Sequence, residues 1–243
     1  MNQTARDEEP APWAPLPGVD GIWCAERKRS GAVLRSAAVA LGNGRLALYS
    51  PPRGLGADAQ RALTARGAPA LLVAPNHFHN LGLHEYATTY PTASLVASSV
   101  AIPRLTRVLK GRHPIASAAE PAAEAALPSN VSFLVAPGTT NGELWLSVQT
   151  AQGRAWLVGD AFFNILRTPK TPMGLMLRLL GICPGLRIGT SFKWFVRDRA
   201  AYRSWLLATL DQQQPVILIP CHGAIVVDPE LPRRLRELVE ARL

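Results

Sequence analysis

The alternation of apolar and polar positions from Gly21 to Ser50 predicts three strands, GIWCAER, AVLRSAAVAL and RLALYS. Leu41-Gly42-Asn43-Gly44 separates the last two, and its Asn-Gly pair supplies the positive φ values that a tight hairpin turn requires. Pro51-Pro52-Arg53-Gly54 ends this meander. ADAQRALTARG then reads as a helix, with Asp58 as candidate N-cap and Gly67 in the C′ position. APALLVAP is a short continuous apolar run, the pattern of a strand buried on both faces. A short helix, LGLHEYATTY, leads to another buried strand, SLVAS. Alternating strands and helices predict α/β layering.

Residues 115–130 are Ala-rich and broken by prolines, which predicts a surface connection with a helical turn or two. VSFLVAP, ELWLSVQT and RAWLVGD follow, separated by the turn sequences PGTTNG and AQGR, and predict a second β meander. Residues 164–193 are irregular, Pro/Gly-rich and apolar. DRAAYRSWLLATL is an amphipathic helix, and PVILIP a buried strand ending in Cys221-His222-Gly223. Asp228-Pro229 reads as an N-cap and first-turn proline, opening a final helix with Leu231, Leu235, Leu238 and Val239 on its apolar face. Pro10, Pro12, Pro15 and Pro17 make residues 1–18 a flexible leader, which leaves 19–243 as one domain.

Composition narrows the class. The chain has 243 residues, 48% of them hydrophobic and 18% charged, a globular balance with length for a full core. Its cysteines, Cys24, Cys183 and Cys221, are too scattered for a disulfide framework or a C-x-x-C knuckle, so a reducing, cytoplasmic location is expected. The N-terminal stretch lacks the basic and apolar regions of a signal peptide. The apolar run Met173–Ile182 falls short of the roughly 18 residues a span needs and contains Arg178, so no transmembrane segment is expected. A net charge of +9 makes acidic partners such as nucleic acid easier to attract, but no basic stripe carries interleaved aromatics, and an Arg-rich solvated surface is the favoured account of the charge.

Candidate chemistry gathers where apolar strands end. His77-x-His79 follows the strand APALLVAP; on an extended backbone, period-two alternation puts both imidazoles on one face, a pair suited to a zinc or iron ion. The alternative is a pair of exposed or core-capping histidines. Asp160 ends the strand Ala155–Gly159, and a carboxylate there needs a partner or a cation. His222 ends the strand Val216–Pro220. If these strands are neighbours, His77, His79, Asp160 and His222 converge at one edge. His84 and Glu85 open the following helix and are additional candidates, as ligands or, for Glu85, as a base. Cys221 and His222 alternate to opposite faces and make a poor nucleophile–base pair.

The order of these markers resembles the metallo-β-lactamase superfamily. That family carries H-x-H-x-D-H, P-G-H-T-x-G, a strand ending in G-D, and a strand ending in histidine before glycine. Here stand His77-Phe78-His79-Asn80-Leu81-Gly82, Pro137-Gly138-Thr139-Thr140-Asn141-Gly142, Gly159-Asp160 and His222-Gly223, in the same order. The chain is similar still more closely to a branch of unknown function, through Gly44-Arg45-Leu46-Ala47-Leu48-Tyr49-Ser50-Pro51, Ala74-Pro75-Asn76 to His79, and Tyr90-Pro91. The resemblance covers about residues 21–243 and implies a four-layer αββα sandwich of the α/β (α+β) class. Leu81, Gly82 and Thr139 replace family ligands, so half of a two-metal site is missing.

What the resemblance then implies is one divalent ion, zinc or iron, held by His77, His79, Asp160 and His222, with Asp160 a ligand or the group that orients a metal-bound water. The implied activity is hydrolysis of a small-molecule substrate. Two other readings stay open: a degenerate, non-catalytic member that binds a ligand in the old cleft, and a nucleic-acid-binding or nuclease variant motivated by the +9 charge. The 168–189 segment lies where family insertions roof the site; it would bind an apolar substrate, a membrane surface or a partner subunit, or pack as a lid on its own core.

Overall fold

A computed structural model describes residues 13–29, 32–54, 56–168 and 170–243. Strands β1 (Ala14–Pro15), β2 (Ile22–Arg29), β3 (Ala32–Ala40), β4 (Arg45–Tyr49), β5 (Ala68–Val73), β6 (Ser94–Ala97) and β7 (Ile115–Ser117) form one sheet in chain order. It is antiparallel from β1 to β4 and parallel from β4 to β7. Helices α1 (Ala57–Thr64), α2 (Leu83–Thr89) and α3 (Ile102–Val108) make the parallel crossovers. The second sheet comprises β8 (Val131–Val135), β9 (Leu144–Thr150), β10 (Gly153–Val158), β13 (Ile217–Pro220) and β14 (Val226–Val227), in the order β14-β13-β10-β9-β8. Its outer face is covered by α6 (Arg199–Gln213) and α7 (Leu231–Arg242).

Period-two alternation builds the layers. In β4 and β5, Ala47, Tyr49, Leu71 and Val73 face the space between the sheets, while Leu46, Leu48 and Leu72 pack with Leu63, Leu83, Tyr86 and Leu105 of the first helical layer. In β9 and β10, Leu144, Leu146, Ala155 and Leu157 complete the central core, while Trp145 and Trp156 meet Tyr202, Leu206, Leu231 and Leu235. The result is the αββα sandwich expected from the sequence.

Several local expectations change. Of the expected leader, residues 1–12 lie outside the described residues; Trp13 and Leu16 are buried, and β1 pairs with β2, so ordered packing starts at least by Trp13 instead of residue 19. Residues 115–117, expected as connection, are an edge strand beside β6, and α4 (Pro121–Ala125) follows; three half-buried residues show no alternation for a pattern to reveal. Asp58 lies inside α1 and Gly56 caps it. Asp228 sits ahead of α7 and its Oδ1 accepts from the Glu230 amide; Glu230 is the N-cap, and the first-turn proline is Pro232. The irregular 164–193 stretch holds α5 (Pro172–Leu179) and β12 (Gly185–Arg187), which pairs with β11 (Phe163–Ile165). Thr171 caps α5 by accepting from the Gly174 amide (3.1 Å), with Pro172 in the first turn.

Candidate metal centre

The second sheet delivers two of the candidate groups together. β10 and β13 are paired and parallel, with Val158 opposite Pro220, so Asp160 and His222 emerge side by side two residues beyond that pair. The His222 ring Nε2 lies 2.9 Å from Asp160 Oδ1. The first sheet delivers the third. Beyond β5 the chain leaves extended geometry at Pro75 and turns, with the His79 amide bonded to Asn76 O, and this brings His79 Nε2 to 3.2 Å from the same Asp160 Oδ1. One ligand atom from each of His79, Asp160 and His222 lies within 4.8 Å of the other two.

His77 does not join them. The expectation that it shares a face with His79 rested on an extended backbone; residues 75–78 form bends and a turn, where period-two alternation does not hold. Its ring packs on Phe78, its Nε2 is buried without a hydrogen-bond partner, and burial and Arg104 lower its pKa. His84 pairs instead with His113 at the surface (Nδ1···Nε2 2.8 Å), and Glu85 Oε2 accepts from the Gly54 amide at 2.9 Å.

Positions around the cluster explain its shape. Ser50 Oγ lies 2.8 Å from His79 Nδ1, leaving Nε2 to face Asp160. Ser50 is held at φ 54°, a left-handed conformation uncommon outside glycine, by its amide to Val73 O and by Ser36 Oγ, which donates to Ser50 O. Asn76 Nδ2 donates to Asp160 Oδ2 and to Glu143 Oε2, both at 2.9 Å, and Asn76 Oδ1 accepts from the Phe78 amide at 2.8 Å. The same side chain therefore shapes the turn and orients the carboxylate.

Glu143 is fully buried and was not among the sequence candidates. Its Oε1 accepts from the amides of Asp160 (2.8 Å) and Ala161 (3.1 Å) and from Trp145 Nε1 (3.2 Å); its Oε2 accepts from Asn76 and Asn141. Burial and then the Asp160 charge push its pKa up to about 7, against the pull of these donors. Gly159 makes the approach possible, since a Cβ there would stand 2.8 Å from Glu143 Oε1 and 3.0 Å from Pro75 Cβ. A carboxylate immediately before the buried run Leu144-Trp145-Leu146 was the available signal; the burial argument applied to Asp160 applies here with more force.

Burial works against ionisation of Asp160, but His79 and His222 hold its pKa well below the usual carboxylate range. Burial likewise opposes a charge on His79, while Cys221 and Asp160 hold its pKa well above the usual imidazole range. Two imidazoles and a carboxylate are a borderline N₂O donor set that suits zinc or iron. Tetrahedral ligand bonds of 2.0–2.2 Å separate ligand atoms by roughly 3.3–3.5 Å; the two histidine nitrogens here stand 2.9 and 3.2 Å from Asp160 Oδ1, and all three donor atoms lie within 4.8 Å of one another.

The positions at which the sequence departs from the metallo-β-lactamase motifs are built into the frame. Thr139 Oγ1 donates to Ala136 O and accepts from the Glu143 amide, closing the turn that places Glu143. A side chain at Gly82 would collide with the carbonyls of Pro51 and Pro52. Leu81 is 55% exposed and lines the cavity above the cluster.

No family model matches the chain, and no curated protein sequence matches it. Its structure does have close likenesses. The metallo-β-lactamase FIM-1 from Pseudomonas aeruginosa, in its mono-zinc form, superposes with a TM-score of 0.61 at 14% identity, covering 97% of this chain and 96% of that one. The DIM-1 metallo-β-lactamase gives 0.59 at 11% identity over 97% and 99%. The Flv1 flavodiiron core from Synechocystis gives 0.59 at 13% identity over 96% of this chain, which spans 61% of that protein. At these identities the likeness is one of architecture, and it is end to end: the chain has the metallo-β-lactamase fold.

Proposed function

We propose that this protein is a metal-dependent hydrolase that uses one ion, zinc or iron, held by His79, Asp160 and His222. The observation that carries the reading is the convergence of these three donors, one ligand atom of each lying within 4.8 Å of the other two. Three protein ligands and an open position are the usual form of a catalytic zinc site. When bound, such an ion lowers the pKa of a bound water toward 7 and polarises the bond to be cleaved.

The chain's own residues have defined parts. His79 offers Nε2 because Ser50 engages Nδ1. Asn76 fixes Asp160 Oδ2, leaving Oδ1 toward the histidines, so the carboxylate can bind the ion and orient the attacking water. The hydrolysis adds water's hydroxyl to the acyl or phosphoryl centre, breaks the bond to the leaving oxygen or sulfur, and delivers water's proton to that leaving atom. The test is a panel of ester, thioester and phosphodiester substrates. At least one should be turned over, with activity abolished by chelator, restored by about one equivalent of zinc or iron, and lost in Asp160→Asn. Turnover that survives metal removal, or no turnover of any class by the metal-loaded protein, would overturn the reading.

A further inference from the structure

The stretch from Ala161 to Arg197 holds six basic residues and no Asp or Glu, although the chain has 17 of these carboxylates elsewhere. Within it, α5 is apolar on two sides. On the inner side Gly174 is buried, and Leu177 and Leu180 pack with Phe163, Ile165, Ile182 and Cys183 as a small separate core. The 168–189 segment is therefore a lid packed on its own core. On the outer side Pro172, Leu175, Met176 and Leu179 stand at i, i+3, i+4 and i+7, which is one helical face. All four are exposed, Leu175 at 60% and Leu179 at 77%.

The 3₁₀ turn Phe192–Trp194 adjoins this helix, since Phe192 lines one apolar cavity of about 500 Å³ together with Met173 and Leu177 of α5. Trp194 is 69% exposed, whereas the other five of the chain's six tryptophans are buried or half-buried. Apolar side chains exposed singly are ordinary, but a whole helical face with an indole beside it marks a contact surface.

Charge selects the partner. Lys170 and Arg178 are exposed, Lys193 is half-buried beside Trp194, and none of the three has an ion pair among the described residues. A second copy of the chain fits this face poorly, because a two-fold contact lays the patch on itself and brings each cation toward its own counterpart. The phosphates of a nucleic-acid duplex would meet the cations but leave the apolar face in water. An anionic bilayer answers both features: its acyl boundary takes apolar side chains, its headgroups face cations, and an indole sits well at headgroup level.

We propose that α5 and the Phe192–Trp194 turn dock the protein on anionic lipid bilayers, the outer face of α5 and Trp194 entering the interface while Lys170, Arg178 and Lys193 face the headgroups. Docking sets α5, one wall of the cavity that Asp160 and His222 also line, at the membrane surface. It needs no ion at the centre.

Sedimentation with vesicles of phosphatidylcholine alone, and of phosphatidylcholine with about 30 mol% phosphatidylglycerol, tests this. The protein should pellet with the anionic vesicles, bind the neutral ones at least about tenfold more weakly, and be released as salt rises. Arg178→Gln should weaken binding by about fivefold, and the double variant Leu175→Ser, Leu179→Ser by at least about tenfold. Both changes fall on exposed side chains, so thermal melts should match the parent. Tryptophan emission should move to the blue on binding, and Trp194→Phe should abolish that shift. Equal binding to neutral and anionic vesicles, or binding unchanged in the double variant, overturns the proposal. So does a failure to pellet with either lipid. A dimer in light scattering without lipid that Leu179→Ser dissolves would make this face a contact between copies and overturn it as well.

Discussion

Glu143 shows how a residue outside the cluster sets its geometry. Both oxygens face only N–H donors, five in all, so an amide in place of the carboxylate must turn its NH₂ toward another donor. Glu143→Gln should cost about 1–3 kcal/mol, which for a chain of this size lowers the melting temperature by roughly 2–12 °C. It should also weaken zinc binding about 10- to 100-fold, because Asn76 and the Asp160 amide lose their common anchor. Thermal melts and zinc titration of the variant check both, and a variant indistinguishable from the parent in both would refute the anchor role. His79, Asp160 and His222 were legible in the sequence because each follows a recognisable apolar strand. His77 was over-read, since the turn begun at Pro75 cancels the alternation that would pair it with His79. Ser50 and Asn76 were visible only as parts of the Ser-Pro and Ala-Pro-Asn markers; their roles depend on a left-handed backbone and a long-range contact that spacing does not encode.

Elements from different sheets must be fastened at the centre, and β3 does this. The Arg35 amide bonds Cys221 O at 2.8 Å, Leu34 bridges His222, and the Gly223 amide bonds Val33 O. The Arg35 guanidinium, 5% exposed, donates to Pro220 O (2.9 Å) and Gly223 O (2.5 Å) on one side and to Glu26 on the other. Arg35→Met keeps the stem but leaves both carbonyls short of a donor, so urea unfolding should show a loss of about 3 kcal/mol at unchanged m value. A loss within about 0.5 kcal/mol, the range of neutral surface changes, would show that the strand ends are held without it. The strands and α6 were legible because their burial follows simple periods. β7, β11 and β12 were not: each has three residues, and short edge or ribbon strands are specified by the partner they meet, not by their own pattern.

At the scale of the whole molecule, the two sheets bring β5, β10 and β13 to one edge, and everything else about the centre follows from that placement. No helix among the described residues is long and apolar enough to cross a membrane. Gly82 lies against the carbonyls of Pro51 and Pro52, and Thr139 closes the turn before Glu143, so neither position supplies a ligand to the cluster. A three-ligand centre of this kind is expected to hold one ion per chain. Elemental analysis of the purified protein, after growth supplemented with zinc and iron, should give about one ion per chain, falling below about a tenth of an equivalent in His79→Ala and in His222→Ala. Two ions per chain, or less than about a tenth of one in the unaltered protein, would contradict it.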